Sequence, residues 1–261
     1  MSKASIIALV LSVSLFISLG FKTNSVGVIS VETNADTLET TIDSTLLKPH
    51  WKTVYESLDL KSKGLSEKAF AYAWYGFNHL NFSKPILAIA DFSQSSTKKR
   101  LYILDLVAGK ILLNTYVAHG RNSGDEYANR FSNRNESYQS SLGFYRTLGT
   151  YQGKHGLSLK MEGLEKGIND KALERAIVLH GADYVSETFI KNTGRLGRSL
   201  GCPAVSMADY KNVIGLLNNG AGFFIYSPDN QYQESSKFVS AFEHSSNPDD
   251  FKVAQLYPSA I

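Results

Sequence analysis

The sequence of 261 residues has a single cysteine, Cys202, and this scarcity excludes two classes of protein. One cysteine cannot form an intrachain disulfide, so the chain is not a disulfide-stabilised secreted scaffold. It also provides no Cys-x-x-Cys pair, and the six histidines show no HxH or HxxxH spacing, so neither a metal site nor a cofactor is predicted. A chain of this size buries enough surface to fold without such aids.

Dense charge of one sign is also missing. The 27 Lys and Arg nearly balance the 24 Asp and Glu, for a net charge of +3. The basic residues form no cluster interleaved with aromatic residues, so nucleic acid is not a predicted partner. Long apolar runs are absent after the N-terminus, and no membrane contact is predicted beyond that first segment.

The N-terminus has the pattern of a secretory signal peptide. Lys3 precedes an apolar stretch from Ala4 to Phe21, and Ser18-Leu19-Gly20 supplies small residues for cleavage after Gly20. The alternative is an uncleaved anchor helix, because the run is about long enough to span a bilayer. We expect residues 1–20 to be a signal peptide or anchor, and the protein to be exported.

The remaining chain divides into four predicted segments. Residues 21–49 are polar and lack an apolar period, which predicts a flexible linker. Residues 50–84 carry apolar side chains at helical spacing on both sides of Gly64, with Ser66 as a helix N-cap. Residues 85–228 are predicted to form the main folded domain, and residues 229–261 a polar, peripheral C-terminal tail.

Short apolar runs and turn signals predict a mostly β fold with flanking helices. Ala108-Gly109 is a hairpin signal, which argues against alternating βαβ units. The polar stretch 121–141 is long for a loop, and such loops are usually functional or mobile. The expected strands are 86–90, 100–106, 110–117, 177–179 and 222–226, and a helix is expected over 210–217.

Cys202 is the first candidate for chemistry. An unpaired thiol in an oxidising compartment is usually either buried and inert or kept for its reactivity. It lies in Gly201-Cys202-Pro203, and Gly201 has no side chain to obstruct a substrate carbonyl. The N–H of Cys202, with a neighbouring N–H, would then form an oxyanion hole. This context favours a nucleophile over an inert core cysteine.

A thiol nucleophile needs a base, and His180 is the best candidate. It ends the apolar run Ile177-Val178-Leu179, where a rigid strand presents a side chain to a cleft. His119 and His155, each followed by glycine, remain alternatives. The three other histidines, His50, His79 and His244, lie in the linker region, a helix and the tail, and we interpret them as surface residues or as residues with satisfied hydrogen bonds.

These motifs resemble the YkuD-type L,D-transpeptidases, and most closely the branch described as the murein L,D-transpeptidase catalytic domain family. The resemblance covers about residues 51–227 and rests on motifs in the same order along the chain. Besides His180-Gly181 and Ser199-Leu200-Gly201-Cys202, these are Arg121-Asn122-Ser123-Gly124, Phe131-Ser132-Asn133, Ser141-Leu142-Gly143-Phe144-Tyr145, Tyr151-Gln152-Gly153 and Gly194-Arg195-Leu196-Gly197-Arg198-Ser199.

The resemblance implies a YkuD-like β-sandwich or barrel preceded by a small helical segment, with residues 85–228 as an L,D-transpeptidase-like catalytic domain. It implies a cysteine acyltransferase of the bacterial periplasm or cell envelope that acts on peptidoglycan stem peptides without a cofactor. Cys202 would be the nucleophile, His180 its base, the Gly181 carbonyl the group that orients the imidazole, and the backbone of Gly201 and Cys202 the oxyanion hole. The thioester would pass to an amine in crosslinking, or to water in a carboxypeptidase.

Arg195, Arg198 and Ser199 complete the expected site as substrate-binding residues. The two arginines are candidates to meet a stem carboxylate, and surface charge is the alternative. Leu200 and Ala204 depart from the family pattern, which has a histidine and a basic or amide residue there. These departures motivate a second hypothesis, a noncatalytic peptidoglycan-binding protein. An NlpC-type peptidase fits less well, because its cysteine precedes its histidine. The sequence predicts no oligomeric state.

Overall fold

The computed structural model describes residues 50–245. Two N-terminal helices lead into eight strands, which are interrupted by short helices and followed by two more helices. In chain order the elements are α1 Trp51–Ser57, α2 Glu67–His79, β1 Ile86–Asp91, β2 Leu101–Asp105, β3 Lys110–Thr115, β4 Gly143–Gly153, β5 Gly156–Gly163, β6 Val178–Gly181, α3 Glu187–Thr193, β7 Ala204–Val205, α4 Tyr210–Leu217, β8 Gly222–Tyr226, α5 Asn230–Ser235 and α6 Lys237–His244.

The strands form one sheet that nearly closes into a barrel. Their order is β3-β2-β1-β8-β4-β5-β6-β7, and the pairings are antiparallel except for β1 with β8 and β6 with β7. Beyond β3 the chain bridges to β7 between Ala118 and Ala204, and Gly120 bridges to Ser199. The two edges of the sheet therefore meet at the segment that carries Cys202. The mostly β class with a preceding helical segment is confirmed.

Helix α2 covers the sheet because its apolar residues recur at helical spacing. Ser66 caps it by accepting a hydrogen bond from the Ala69 N–H, as the sequence predicts. Phe70 and Trp74 are buried, and Gly76 lets the helix approach the ring of Phe144, which stacks on Phe224 at 4.2 Å between ring centroids. These aromatic contacts form part of the core between α2 and the sheet.

The region after β8 differs from the predicted polar tail. Residues 230–244 form α5 and α6, which place Tyr232 and Val239 in the core and Phe242 against Tyr72. The sequence here looks polar because only one face of each short helix is apolar. Residues 246–261, the predicted signal peptide or anchor at 1–20 and the predicted linker at 21–49 lie outside the described residues.

A buried carboxylate, Glu165, joins these C-terminal helices to the sheet. It accepts hydrogen bonds from the Phe144 N–H at 2.9 Å, the Tyr232 hydroxyl at 3.0 Å and the Ser236 hydroxyl at 2.5 Å. Burial raises the pKa of Glu165, and these three donors oppose that rise. One side chain thus satisfies donors from β4, α5 and the start of α6.

We expect Glu165→Ala to lower the free energy of unfolding by about 2–3 kcal/mol, because it leaves buried donors without an acceptor. Urea unfolding followed by circular dichroism measures this change. Glu162→Ala, on the half-exposed neighbour of Arg146, is the matched control, and we expect it to cost less than about 1 kcal/mol. Equal losses in the two variants would contradict the anchoring role of Glu165.

Within residues 50–245, no helix has both the length and the apolarity needed to cross a membrane. The hairpin at Ala108-Gly109 is confirmed as the turn between β2 and β3. The long segment 121–141 is irregular apart from a single 3₁₀ turn at Arg121–Ser123.

Candidate active site

Cys202 lies in a tight turn that precedes β7, and Ser199 holds this turn together. The Ser199 hydroxyl donates to the Cys202 carbonyl at 2.6 Å and accepts from the Gly201 N–H at 3.0 Å. Gly201 adopts a φ of +122°, a conformation that L-residues with side chains rarely adopt. A Cβ on Gly201 would also lie 2.9 Å from the Gln139 carbonyl oxygen. Both the turn and its surroundings therefore require glycine before the cysteine.

The sulfur of Cys202 is half-buried against the start of β6. The Val178 N–H donates to Sγ at 3.5 Å, and the thiol faces the Ala176 carbonyl at 3.8 Å. Burial raises the pKa of the thiol, whereas the Val178 N–H and the charge of Arg175 lower it. Burial has the largest effect, so the resting thiol is protonated at neutral pH.

His180 lies on β6 itself and is almost completely buried. Its Nδ1 is 3.0 Å from the Gly181 carbonyl oxygen, which only accepts hydrogen bonds, so Nδ1 carries the proton and Nε2 is left as the acceptor. Burial lowers the pKa of His180, the Gly181 carbonyl raises it, and the charge of His155 lowers it. The imidazole is therefore neutral and basic at Nε2 near neutral pH.

The pairing of β6 with β7 brings the segments that carry His180 and Cys202 next to each other. His180 is in register with Ala204, and Cys202 lies two residues before Ala204, at the level of Val178. The hydrogen bond from the Val178 N–H to Sγ agrees with this register. Two residues along a strand span about 7 Å, so the backbones of Cys202 and His180 are offset by about that distance along the strand direction.

Gly181 lies where a side chain would not fit. A Cβ there would lie 2.8 Å from both the Met207 sulfur and the Tyr210 ring. Close packing of this loop and helix on Gly181 fixes the peptide whose carbonyl meets His180. The Gly181 carbonyl that contacts His180 therefore lies in a closely packed part of the structure.

The expected oxyanion hole differs in detail from the sequence prediction. The Gly201 N–H donates to Ser199, so it supports the turn. Among the hydrogen bonds within residues 50–245, none uses the Cys202 N–H as donor. Of the two predicted donors, the Cys202 N–H is the one open to an oxyanion. The Ser199 hydroxyl is similarly occupied within the turn, which favours a positioning role over substrate contact.

A second imidazole, His155, covers His180. Its ring stacks on that of His180 with 4.3 Å between centroids and 21° between planes. His155 occupies the exposed turn between β4 and β5, and Ser158 on β5 pairs with His180. The sequence offered His155 only as an alternative base. Its position over His180 depends on the β4–β5 hairpin, which the sequence analysis did not predict.

His119, the other alternative base, is occupied elsewhere. Its Nδ1 accepts from Arg100 at 2.7 Å, and its Nε2 faces the Gly124 carbonyl oxygen at 3.3 Å. Burial, followed by the charge of Arg100, lowers the pKa of His119 to about 3. Both ring nitrogens are used in the core, so His119 is a structural residue.

Arg195 and Arg198 lie beside the segment after Gly120, near Asp125. Arg198 donates to Asp125 at 2.6 Å and to the Gly124 carbonyl at 2.9 Å, and Arg195 lies 4.0 Å from the same carboxylate. The Asp125 side chain is 81% exposed. Both arginines therefore lie at ion-pair distance from the solvent-exposed carboxylate of Asp125.

The two departures from the family pattern have different surroundings. Leu200 is 59% exposed beside the nucleophile, so it presents an apolar surface at the site. Ala204 is completely buried in β7 and its backbone pairs with Ala118, which leaves no room for a long polar side chain. Within the described part of the chain, no three His, Cys, Asp or Glu side chains group in a way that would hold a metal ion.

This chain belongs to the L,D-transpeptidase catalytic domain family. The model of that family matches residues 61–226, which include both Cys202 and His180. The match confirms the resemblance drawn from the sequence motifs. No match was found among curated proteins.

Solved structures of L,D-transpeptidases are also similar to this chain. One from Mycobacterium smegmatis is 12% identical, with a TM-score of 0.33, and the match covers 55% of this chain and 59% of that one. L,D-transpeptidase 3 from Mycobacterium tuberculosis is 11% identical, with a TM-score of 0.36, covering 55% and 61%. One from Stackebrandtia nassauensis is 16% identical, with a TM-score of 0.33, covering 69% and 77%. The chain thus spans about three fifths of the first two.

Proposed function

We propose that this protein is a cysteine-dependent L,D-transpeptidase that acts on peptidoglycan stem peptides through a thioester on Cys202. The observation that supports it most is the neutral His180 imidazole, held by the Gly181 carbonyl with Nε2 unprotonated, on the strand whose Val178 N–H contacts the Cys202 sulfur. Membership of the L,D-transpeptidase catalytic domain family supports the same reaction class.

The reaction begins from a neutral thiol and a neutral imidazole. As Sγ attacks the carbonyl carbon that joins the third stem residue to D-alanine, Nε2 of His180 takes the thiol proton. The Cys202 N–H stabilises the resulting oxyanion. The intermediate collapses, the C–N bond breaks, and the imidazolium gives its proton to the leaving amine of D-alanine. A thioester remains on Cys202.

The second half resolves the thioester. An amine of another stem, or water, attacks the thioester carbonyl while Nε2 of His180 accepts its proton. The C–S bond breaks and the proton returns to the sulfur. An amine acceptor gives a crosslink, whereas water gives a tripeptide.

Arg195 and Arg198 are the proposed binding residues for a stem carboxylate. Their guanidinium groups already hold the exposed carboxylate of Asp125, so a substrate carboxylate would take the same place in exchange. Since Asp125 is exposed, releasing it into water costs little.

The chemistry also implies a location. Stem peptides of peptidoglycan lie outside the cytoplasm, so we propose that the protein is exported to the periplasm or cell envelope by its N-terminal segment. Fractionation of cells producing the full chain, followed by N-terminal sequencing of the mature protein, tests this proposal. An intact Met1 in a cytoplasmic fraction would contradict it.

Mass spectrometry of purified tetrapeptide muropeptides incubated with the protein tests the activity. Dimers linked through the third residue support the transpeptidase, and tripeptides with released D-alanine support the carboxypeptidase variant of the same acyl-enzyme. Unchanged muropeptides that nevertheless bind the protein would overturn the proposal in favour of a noncatalytic binding protein.

His155 is expected to set the pH range of the reaction. The base must be neutral, and burial together with the charge of His155 lowers the pKa of His180. His155→Ala uncovers the ring and removes that charge, so the pKa of His180 rises and the acid limb of the pH–rate profile moves to higher pH. The rate of D-alanine release, measured between pH 4 and pH 9, gives the position of this acid limb.

Two variants serve as controls for this prediction. His155→Phe keeps a stacked ring but removes the charge, so we expect a smaller displacement of the acid limb. Lys154→Ala changes the neighbouring exposed residue of the same turn and should leave the limb in place. An unmoved limb in His155→Ala would show that His155 does not control the base.

A further inference from the structure

Arg175 is a polar residue of the site that neither the sequence motifs nor the reaction above employs. It ends the turn before β6, and Ala176 follows it in the left-handed conformation, with a φ of +52°. The next residues line the sulfur, through the Ala176 carbonyl and the Val178 N–H. Arg175 therefore directly precedes, in the sequence, the residues that contact the Cys202 sulfur.

The guanidinium of Arg175 is partly buried, and its hydrogen bonds join the long segment 121–141 to the residues beside the sulfur. Nη1 donates to the Ser132 carbonyl at 2.8 Å and to the Ser141 hydroxyl. Nη2 donates to the Gln139 carbonyl at 2.6 Å and to the Ser137 hydroxyl at 3.3 Å. A planar group with donors on two nitrogens makes these contacts together, which an ammonium group cannot reproduce.

The same guanidinium reaches the turn of the nucleophile. A Cβ on Gly201 would lie 3.3 Å from Nη2, so Gly201 leaves room for the cation to approach the backbone beside Cys202. Ser140 reinforces this contact, because its hydroxyl donates to the Gly201 carbonyl at 3.3 Å. The segment 137–141 and the nucleophile turn are thus joined through Arg175 and Ser140.

The charge of Arg175 has no carboxylate counterpart. Within residues 50–245, no Asp or Glu lies at ion-pair distance from it, and its hydrogen-bond acceptors are neutral. A partly buried cation without a counter-ion stabilises a negative charge that forms nearby. The group that develops such a charge at this place is the Cys202 sulfur, whose pKa the charge of Arg175 lowers.

We propose that Arg175 is a positioning residue for Cys202, which fixes the Gly201–Cys202 turn and supplies the positive charge that balances the thiolate. The proposal rests on the nucleophile of the proposed function but concerns the sulfur itself. Two other titratable groups lie around this turn. His180 is two residues along β6 from the Val178 N–H and is neutral, and burial together with the charge of Cys202 raises the pKa of Tyr184 to about 12. Arg175 is thus the cation among them.

Alkylation of Cys202 by iodoacetamide, followed by intact-mass spectrometry from pH 5 to pH 10, tests the proposal without a peptidoglycan substrate. Alkylation follows the thiolate fraction. In Arg175→Gln we expect the midpoint of the profile to move to higher pH and the rate near neutral pH to fall about tenfold. Arg175→Lys keeps a charge and should largely restore the midpoint. Arg146→Gln, which removes a half-exposed arginine from β4, should change neither.

A merely structural role predicts a different pattern. Hydrogen exchange of segment 132–141 would then increase in both Arg175 variants while the alkylation midpoint stayed at its wild-type pH, and that result would overturn the proposal. Should Arg175→Gln fail to fold, the Arg175 Nε–H resonance of the wild-type protein gives the second test. It should titrate together with the thiol and stop doing so in Cys202→Ser. A resonance that titrates identically in both proteins would overturn the proposal.

These readouts separate the two proposals. If muropeptides are unchanged by the protein but the alkylation midpoint moves as expected, the proposed function fails and the role of Arg175 stands. If muropeptides are crosslinked but the alkylation midpoint does not move, the proposed function stands and the role of Arg175 fails.

Discussion

Cys202→Ala should abolish D-alanine release from a tetrapeptide donor, with a loss of about 10³-fold or more. The substitution removes the atom that forms the thioester, and no other cysteine exists to replace it. Cys202→Ser should be nearly as inactive, because a hydroxyl is a much weaker nucleophile than a thiol when the base is a neutral imidazole. Chromatographic measurement of free D-alanine over time provides the rate.

The fold should survive this substitution. The sulfur is half-buried and its hydrogen bonds, at 3.5 and 3.8 Å, are long. We therefore expect the thermal unfolding midpoint to change by only a few degrees. Leu173→Ala, at an exposed apolar residue, is a control that should retain full activity. Activity in Cys202→Ala above one tenth of the wild-type rate would exclude the sulfur as nucleophile.

His180→Gln should lower the rate of thioester formation by about 10²–10⁴-fold, the usual contribution of a general base. The amide cannot take the thiol proton, so the remaining reaction depends on thiolate that is already present. Because burial raises the pKa of the thiol, little thiolate is present at neutral pH, and the thiolate fraction grows as the pH rises. The residual rate of His180→Gln should thus increase from neutral to alkaline pH. The wild-type rate should instead rise at an acid limb below pH 6.5, since burial lowers the pKa of His180.

Two further histidine-to-glutamine variants separate this effect from loss of structure. His244→Gln, at the exposed end of α6, should leave rate and profile unchanged. His119→Gln should lower the stability, because Arg100 loses a buried acceptor, but it should keep the acid limb. If His119→Gln removed the limb and His180→Gln did not, the base would be His119.

The fold could be predicted from the sequence where the signals are local. The β2–β3 hairpin follows from Ala108-Gly109 between two apolar runs, and the start of α2 follows from Ser66. The β4–β5 hairpin was missed because its outer half is exposed and its register shifts between Thr147 and Thr150. Closure of the sheet through Ala118 and Ala204 is a contact between distant segments and has no local signal.

In the candidate site, too, some residues could be predicted from local sequence signals and others could not. Cys202 and His180 stand out because cysteine and histidine are scarce in this chain and each of the two lies next to a glycine. The stacking of His155 on His180 and the position of Arg175 near the sulfur were not predicted, because both depend on neighbours more than twenty residues away. In the sequence Arg175 resembles any surface charge beside Glu174, and only folding turns its guanidinium toward segment 132–141.

Peptide mapping of the protein after brief incubation with a carbapenem or a tetrapeptide donor tests the central claim most directly. We predict a covalent acyl adduct on the peptide that contains Cys202, at one adduct per chain, which hydroxylamine removes as expected of a thioester. An unmodified Cys202 peptide, or an adduct on any other residue, would contradict acyl transfer through this sulfur.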